Sequence, residues 1–521
     1  MMKLWGTNRA RAVRSVGAAA ALVVAVSALA ACSSSSSDST KSSGAANSTL
    51  TVSIASDVVS LDPQLQGDLT SMSIADNIFD TLTVRGADNS LDPGLATKWK
   101  QVNPLTWQFT IRKGVKFTDG EPLDANAVAF SINRLLDPAT KSPIVELVNV
   151  KDAVAVDANT VNFEMKSPDP VIPAKVSLFG GVVLPPKLLK KEGAAAFAQH
   201  PVGSGPYEFV SRQQDSQITL KANPDYWGPK PKVKNLVFKI IPDAASALAA
   251  LQSGEVDIVT GITKDAANQL GNNPDTTVKS TPGIRTYSIN LDTITSGPLS
   301  KPEVRQALNY AVDVPTLIKT VMAGAAQQTP TLIPDSVYGY DKSVKPFTYS
   351  VSKAKQLLSQ AGYPSGFSTT LDASSADSAL AQGIAGELAK VGVKAKVNLV
   401  DPQTAKSDVI TLNQRHDGAM YLVANSGWTL DSVSFLQSVI KSDRRSSRWN
   451  NAEANQLVVT GETETDPSKR LQAFSQMQTL LKDQAPFVYL FDINNTYAMR
   501  SDVKWTMPVT GILSMSSAQL G

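Results

Sequence analysis

WQFTIRKGVKFTDGEPLDANAVAFSINRLLDP, from Trp107 to Pro138, carries two periodicities in one stretch. Trp107, Phe109 and Ile111 alternate with Gln108, Thr110 and Arg112, the pattern of a strand with one face buried. Thr118-Asp119-Gly120 then offers a hairpin-type turn that pairs the strand with the segment running to Leu123, the glycine accepting positive φ. Asp124 can cap the helix that follows, because its carboxylate accepts from the first free N–H groups, and Val128, Ile132 and Leu135 share one face of that helix. Strand followed at once by amphipathic helix predicts an α/β body.

Working outward, the same alternation continues to the C-terminus. Leu236 to Ile241 predicts a buried strand, and the alanine-rich helix after it stops at Gly254. Ser300-Lys301-Pro302-Glu303 has the form of a capping box, with Val304, Ala307, Leu308, Ala311 and Val312 as the apolar stripe behind it. Ala354, Leu357, Leu358 and Ala361 form another stripe ending at Gly362. Ala395, Val397 and Leu399 alternate as a strand, and Gly418 to Ala424 is a buried one. Asp466-Pro467 opens a late helix with Leu471, Phe474 and Leu481. No repeat of fixed period is present, which excludes a solenoid or propeller.

The N-terminal segment is an address. Lys3, Arg9, Arg11 and Arg14 precede an apolar run from Val16 to Ala31. As a helix that run would be roughly 24 Å long, short of the ~30 Å bilayer core, so a cleaved secretory signal fits better than a membrane span. It ends in Leu29-Ala30-Ala31-Cys32, similar to a bacterial lipobox, in which the cysteine becomes the lipidated first residue. Cys32 is the only cysteine of 521 residues, so neither a disulfide framework nor an all-cysteine metal site can form. Ser33 to Ser48 is serine-rich and nearly free of apolar side chains, a tether. Residues 1–31 hold four of the 49 Lys and Arg, so the remainder has 45 basic against 46 acidic residues, a net charge of −1. Without clustered excess basic charge, a nucleic-acid partner is excluded.

Catalytic signatures are lacking. Val202-Gly203-Ser204-Gly205-Pro206 is not the G-x-S-x-G elbow of hydrolases, and Glu208 breaks any G-x-G-x-x-G turn. His200 and His416 are the only histidines and lie far apart in sequence, so no catalytic, metal or cofactor site is assigned.

A succession of strings decides the relationship. VSLDPQ (Val59 to Gln64), NIFDTL (Asn77 to Leu82), LDPGLATKW (Leu91 to Trp99), the Trp107–Pro138 stretch and PVGSGPYEF (Pro201 to Phe209) come first. NPDYWGPKP (Asn223 to Pro231), LQSGEVDI (Leu251 to Ile258), VRQALNYAVD (Val304 to Asp313), AKQLLSQAGYP (Ala354 to Pro364) and SGWTLD (Ser426 to Asp431) follow in order. Together they resemble solute-binding protein family 5, the dipeptide-, oligopeptide- and nickel-binding lipoproteins of bacterial ATP-binding-cassette importers.

The resemblance implies a two-lobed α/β, periplasmic-binding-protein-like fold of type II, with an extra domain inserted in the first lobe. Lobe I would comprise residues 49–70, 204–283 and 487–521, the inserted domain 71–203, and lobe II 284–486, with hinges near Gly283-Ile284-Arg285 and Pro486-Phe487-Val488. It implies a monomeric binding protein rather than an enzyme, lipid-anchored at Cys32 on the outer face of the cytoplasmic membrane. A short peptide would be taken between the lobes and delivered to a permease with cytoplasmic ATPases. By motif, Asp431 would hold the peptide's ammonium and Gly427, Trp428 and Thr429 would line the cleft; the alternative is that Asp431 caps a helix beside a core tryptophan. Tyr287, Asn290, Tyr489 and the Leu61-Asp62-Pro63-Gln64 segment are further candidates, and Arg285 or Arg415 could meet a carboxylate. A nickel chelate, haem, an oligosaccharide or an opine-like compound are alternative cargoes, and a secreted hydrolase or an adhesion lipoprotein are alternatives of another class.

Overall fold

The computed structural model describes residues 48–86, 88–271, 273–401, 419–437, 439–440 and 447–521. The signal segment, Cys32, most of the tether, Arg415 and His416 lie outside the described residues. No helix among the described residues is long and apolar enough to cross a membrane.

Two long strands organise the body. Thr276–Leu291 and Phe487–Arg500 pair antiparallel from Thr276 opposite Arg500 to Asn290 opposite Phe487. They sit centrally in an eleven-stranded sheet. On one side lie Ile258–Thr260, Thr49–Ile54, Asn235–Ile240, Gln217–Ala222 and Tyr207–Gln213; on the other lie Met420–Ser426, Ser368–Ser374 and Lys394–Val400. Ala326–Gln328 also pairs with Phe487–Arg500. The same two strands serve two separate interiors. Tyr497 and Met499 belong to the core around Leu50, Phe238 and Leu236, whereas Tyr287, Ile289, Val488 and Leu490 belong to the core around Leu308 and Leu371. These are lobes I and II.

The pairing slips between Thr281 and Arg285, opposite Ile493 to Asn495 where the core changes, and again between Tyr287 and Ser288. Gly283 sits in the slip, and a Cβ there would stand 2.3 Å from the Ile493 carbonyl oxygen. Gly283→Ala must push the two crossing strands apart, at a cost of about 1–3 kcal/mol. Urea unfolding should show the lowered midpoint; an unaltered midpoint would mean that the strands tolerate separation. The second crossing differs from the one expected at Pro486-Phe487-Val488. Those residues are held inside lobe II, where Asn309 Nδ2 donates to the Phe487 carbonyl (2.8 Å) and the Leu291 N–H to that of Pro486 (3.2 Å). The proline marks where the strand begins, and the chain changes lobe in mid-strand, between Phe491 and Tyr497.

The inserted domain has its own core between Leu82 and Val183, narrower than the span 71–203. A four-stranded sheet ordered Ala96–Asn103, Thr106–Ile111, Thr160–Met165, Val150–Asp157 carries helix Ala125–Leu136. The flanking helices Leu69–Ile78 and Pro186–Phe197 instead point Met72, Ile74, Ile78, Leu189 and Phe197 into lobe I, because their apolar faces match that core. Trp505, Met507, Leu513 and Met515 return the C-terminus to the same core. Lobe II is filled on both faces of its sheet, since Phe487 and Tyr489 alternate with Val488 and Leu490 between two clusters.

Local expectations mostly hold. Asp124 accepts from the N–H groups of Asn126 (2.9 Å) and Ala127 (3.1 Å) and starts helix Ala125–Leu136. The Thr118-Asp119-Gly120 turn forms, but it joins Val115–Phe117 to Glu121–Leu123, with Gly120 N–H donating to Phe117 O (2.9 Å). The Trp107 strand takes Ala96–Asn103 and Thr160–Met165 as its partners instead. Helix Pro302–Ala311 has no side-chain cap: Ser300 Oγ donates to the Gly297 carbonyl (2.7 Å) and closes the preceding turn.

Three of the strings quoted above meet at one carboxylate. Asp80 of NIFDTL accepts from Ser204 Oγ of PVGSGPY (2.8 Å), and from Tyr226 Oη (3.1 Å) and Trp227 Nε1 (2.7 Å) of NPDYWG. Burial pushes Asp80 up to about 6 even against these three donors. Segments far apart in the chain thus satisfy one buried group.

Candidate functional site

Strand Met420–Ser426 pairs with Thr276–Leu291, placing Ser426 opposite Arg285 at the slip between the lobes. The chain then turns, with the Leu430 N–H donating to the Gly427 carbonyl (3.0 Å) and Leu430 held at φ 53°. Gly427 is required by contact: a Cβ would lie 2.1 Å from the Phe435 ring. Trp428, half-buried, packs on the lobe I core and on the second lobe II core at once. Thr429 is buried, and its carbonyl accepts from Arg85 Nη2 of the inserted domain. The Gly-Trp-Thr segment therefore spans the junction of the two lobes.

Beside it lies a cavity of about 410 Å³, within the size range of small-solute pockets. One wall is lobe II, with Ser426, Trp428, Thr429, Ser434 and Gln437. The facing wall is the inserted domain, with Val145, Glu146, Asn149 and the 166–171 loop. Oγ1 of Thr429 and Oε2 of Glu146 are shut away from solvent with no hydrogen-bond partner. Lys166 Nζ donates to the Val148 carbonyl (2.7 Å) and Lys175 pairs with Asp169 (2.6 Å).

Asp431 faces away from solvent and is engaged by the protein. Arg470 Nη2 lies 2.9 and 3.1 Å from its two oxygens, and the Val433 N–H donates to Oδ1 (3.0 Å), capping helix Ser432–Leu436. Arg470 also donates through Nε to the Gly461 carbonyl (2.8 Å), and its guanidinium lies over Phe474 (5.0 Å). Asp431 is not among the residues lining the cavity.

The remaining candidates disperse. Tyr287 is a lobe II core residue whose hydroxyl donates to Asp377 (2.9 Å), and burial pushes it up to about 12. Arg285 is exposed with its guanidinium over the Tyr287 ring at 5.4 Å. Asn290 is buried, with Oδ1 accepting from Ser288 Oγ (3.4 Å) and Nδ2 unpartnered. Tyr489 donates to the Leu481 carbonyl (2.7 Å) and lies parallel to Phe347 at 6.4 Å. Asp62 pairs with Arg134 (2.5 Å), which also reaches Gln64 Oε1 (2.6 Å), so that segment ties lobe I to the inserted domain. His200 is exposed beside Phe209. Among the described residues no group of three or more His, Cys, Asp or Glu could hold a metal. Arg85 and Arg470 escaped the sequence reading because each gains its meaning only from a partner far along the chain, and Glu146 because only the fold brings its loop opposite the lobe II wall.

The geometry can be set beside known proteins. The model of bacterial extracellular solute-binding proteins, family 5 (middle), matches residues 90–447. The glutathione-binding protein GsiB of Escherichia coli K12 is 28% identical over 485 residues, which is 90% of this chain and 94% of the relative. The ABC transporter-associated periplasmic binding protein DppA of Helicobacter pylori, solved with the peptide STSA, superposes with a TM-score of 0.75 at 27% identity, covering 91% of this chain and 98% of that one. AgaA of A. tumefaciens R10, solved with agropinic acid, gives 0.73 at 26% identity over 91% and 99%. These relatives are solute-binding proteins rather than enzymes, and the family's members bind small solutes and work with ATP-binding-cassette permeases. The chain belongs to the bacterial extracellular solute-binding proteins of family 5.

Proposed function

We propose that this protein captures short peptides in the cavity between the inserted domain and lobe II and delivers them, unaltered, to an importer permease. Lipidation at Cys32 would hold it at the outer face of the cytoplasmic membrane, with Ser33 to Ser48 as slack. The observation that carries the reading is a cavity whose facing walls come from different lobes, with Trp428 seated on both cores. A solute touching both walls favours the state in which they approach, so binding is converted into closure and no covalent step is needed. Trp428 and Thr429 stand on the lobe II wall, Gly427 makes the tight turn that carries them, and Asp431 braces that wall from behind through Arg470. Tyr287, Asn290 and Tyr489 keep lobe II rigid around its strands. The names of two relatives, a glutathione-binding protein and a peptide complex, favour peptide cargo over the opine of the third.

Thermal unfolding against matched panels of di- to tetrapeptides, opines, nickel chelates and oligosaccharides tests the cargo class. A cargo present at a hundred times its Kd stabilises by about 2.7 kcal/mol, easily seen as a raised midpoint. The largest rise is expected among the peptides. A rise with opines or chelates alone would remove peptides from the account.

A further inference from the structure

We infer that Glu146 is the cargo's ammonium anchor, and that the solute this cavity admits carries a free, protonated amine. The inference rests on the cargo reading just given and names the chemistry of that same cavity. Three observations lead to it.

Asp431, the carboxylate favoured by motif, already has its charge matched and does not line the cavity. Both oxygens accept from Arg470 and one also caps Val433, so a cargo cation would have to displace a buried guanidinium. Glu146 is in the opposite condition. It lines the cavity, its Oε2 is closed off from solvent, and among the described residues it has neither an ion pair nor a hydrogen bond to that oxygen. A carboxylate oxygen removed from water without a donor is costly, and the cost disappears when a cationic donor enters. The nearby cations do not fill the vacancy: Lys166 is turned to the Val148 carbonyl and Lys175 to Asp169.

Thr429 supplies the second half. Its hydroxyl, on a residue only 5% exposed, lines the same cavity without a partner. It can donate to a cargo carbonyl, leaving the ammonium to Glu146. A carboxylate on the inserted domain and a hydroxyl on lobe II, both unsatisfied and lining one cavity, fit a cargo that bridges them with a charged amine at the Glu146 end. Because the two groups sit on different lobes, the amine also contributes to holding the lobes together, and an N-blocked solute would leave Glu146 buried and unpaired. That penalty is a means of rejection as well as of binding.

The test is calorimetry with the tetrapeptide Ser-Thr-Ser-Ala and glutathione, each beside its N-acetylated form, on the wild-type chain, Glu146→Gln and Thr429→Val. The free amines should bind and the acetylated forms should bind at least about ten-fold more weakly, as expected for loss of an enclosed charge-assisted bond. Glu146→Gln should weaken the free amines by a similar factor and abolish the discrimination, with its unfolding midpoint not lowered because Glu146 has no partner to lose. Thr429→Val should weaken both forms alike. If free and acetylated peptides bind equally, or Glu146→Gln discriminates as the wild type does, the anchor is overturned while peptide capture stands. If the wild-type chain binds none of the four, peptide capture fails and the anchor falls with it.

Discussion

Asp431→Ala is expected to cost about 3–5 kcal/mol of folding stability, the range for removing one partner of a buried ion pair. Asp431 is 6% exposed and Arg470 equally so. Without the carboxylate, Arg470 retains the Gly461 carbonyl and its place over Tyr338 and Phe474, but its charge is left uncompensated beside an apolar cluster. The helix that begins at Ser432 loses its cap as well. Arg470→Ala should cost a comparable amount, and the two changes together should cost much less than their sum, since each alone strands the other's charge. Chemical denaturation of the four proteins measures this. Cargo affinity of the folded fraction should fall only modestly, as Trp428 and Thr429 shift on a loosened support. Unchanged stability with a large loss of affinity would return Asp431 to the role of cargo ligand.

Asp80→Ala is the second large effect, about 3–5 kcal/mol, because it orphans the Ser204, Tyr226 and Trp227 donors at once and each costs about 1–3 kcal/mol when buried. Asp80→Asn keeps an acceptor and should be milder. The pair also isolates a pH effect. Burial, and secondarily the neighbouring Asp76, raises Asp80 from 3.8 to about 6. The folded state therefore holds this proton more tightly than the unfolded chain does. The stability it contributes is complete below the unfolded value and is lost as pH climbs toward 6, by roughly 3 kcal/mol in all. Relative to Asp80→Asn, the wild-type protein should thus lose ground between pH 4 and pH 7 and then stay level, which thermal unfolding at stepped pH would reveal. A constant difference across that range would show that Asp80 is charged throughout.

Much of the scaffold could be read directly from residues. The alternation at Trp107–Ile111, the Asp124 cap and the helix ending at Gly254 are local, and local propensity agrees with the fold there. What escaped is set by pairing across the chain. Pro486 punctuates the start of a strand, yet the lobe boundary falls further on, between Phe491 and Tyr497, where the strand continues and only a slip in its pairing marks the change. The cap at Asp431 was within reach, since Ser432 to Leu436 follows it, but its ion pair with Arg470 lies 39 residues on. Arg85 and Thr429 are 344 residues apart, and Glu146 sits in a loop without periodicity. The site is assembled by topology, from segments that show no special pattern alone.

Small-angle X-ray scattering tests the clamp itself. The protein, freed of solute by unfolding and refolding, should be measured alone and then saturated with the peptide that most raises its unfolding midpoint. Closure about the Thr281–Arg285 slip predicts a smaller radius of gyration in the saturated sample. Identical scattering curves from the free and the calorimetrically saturated protein would contradict a hinged clamp.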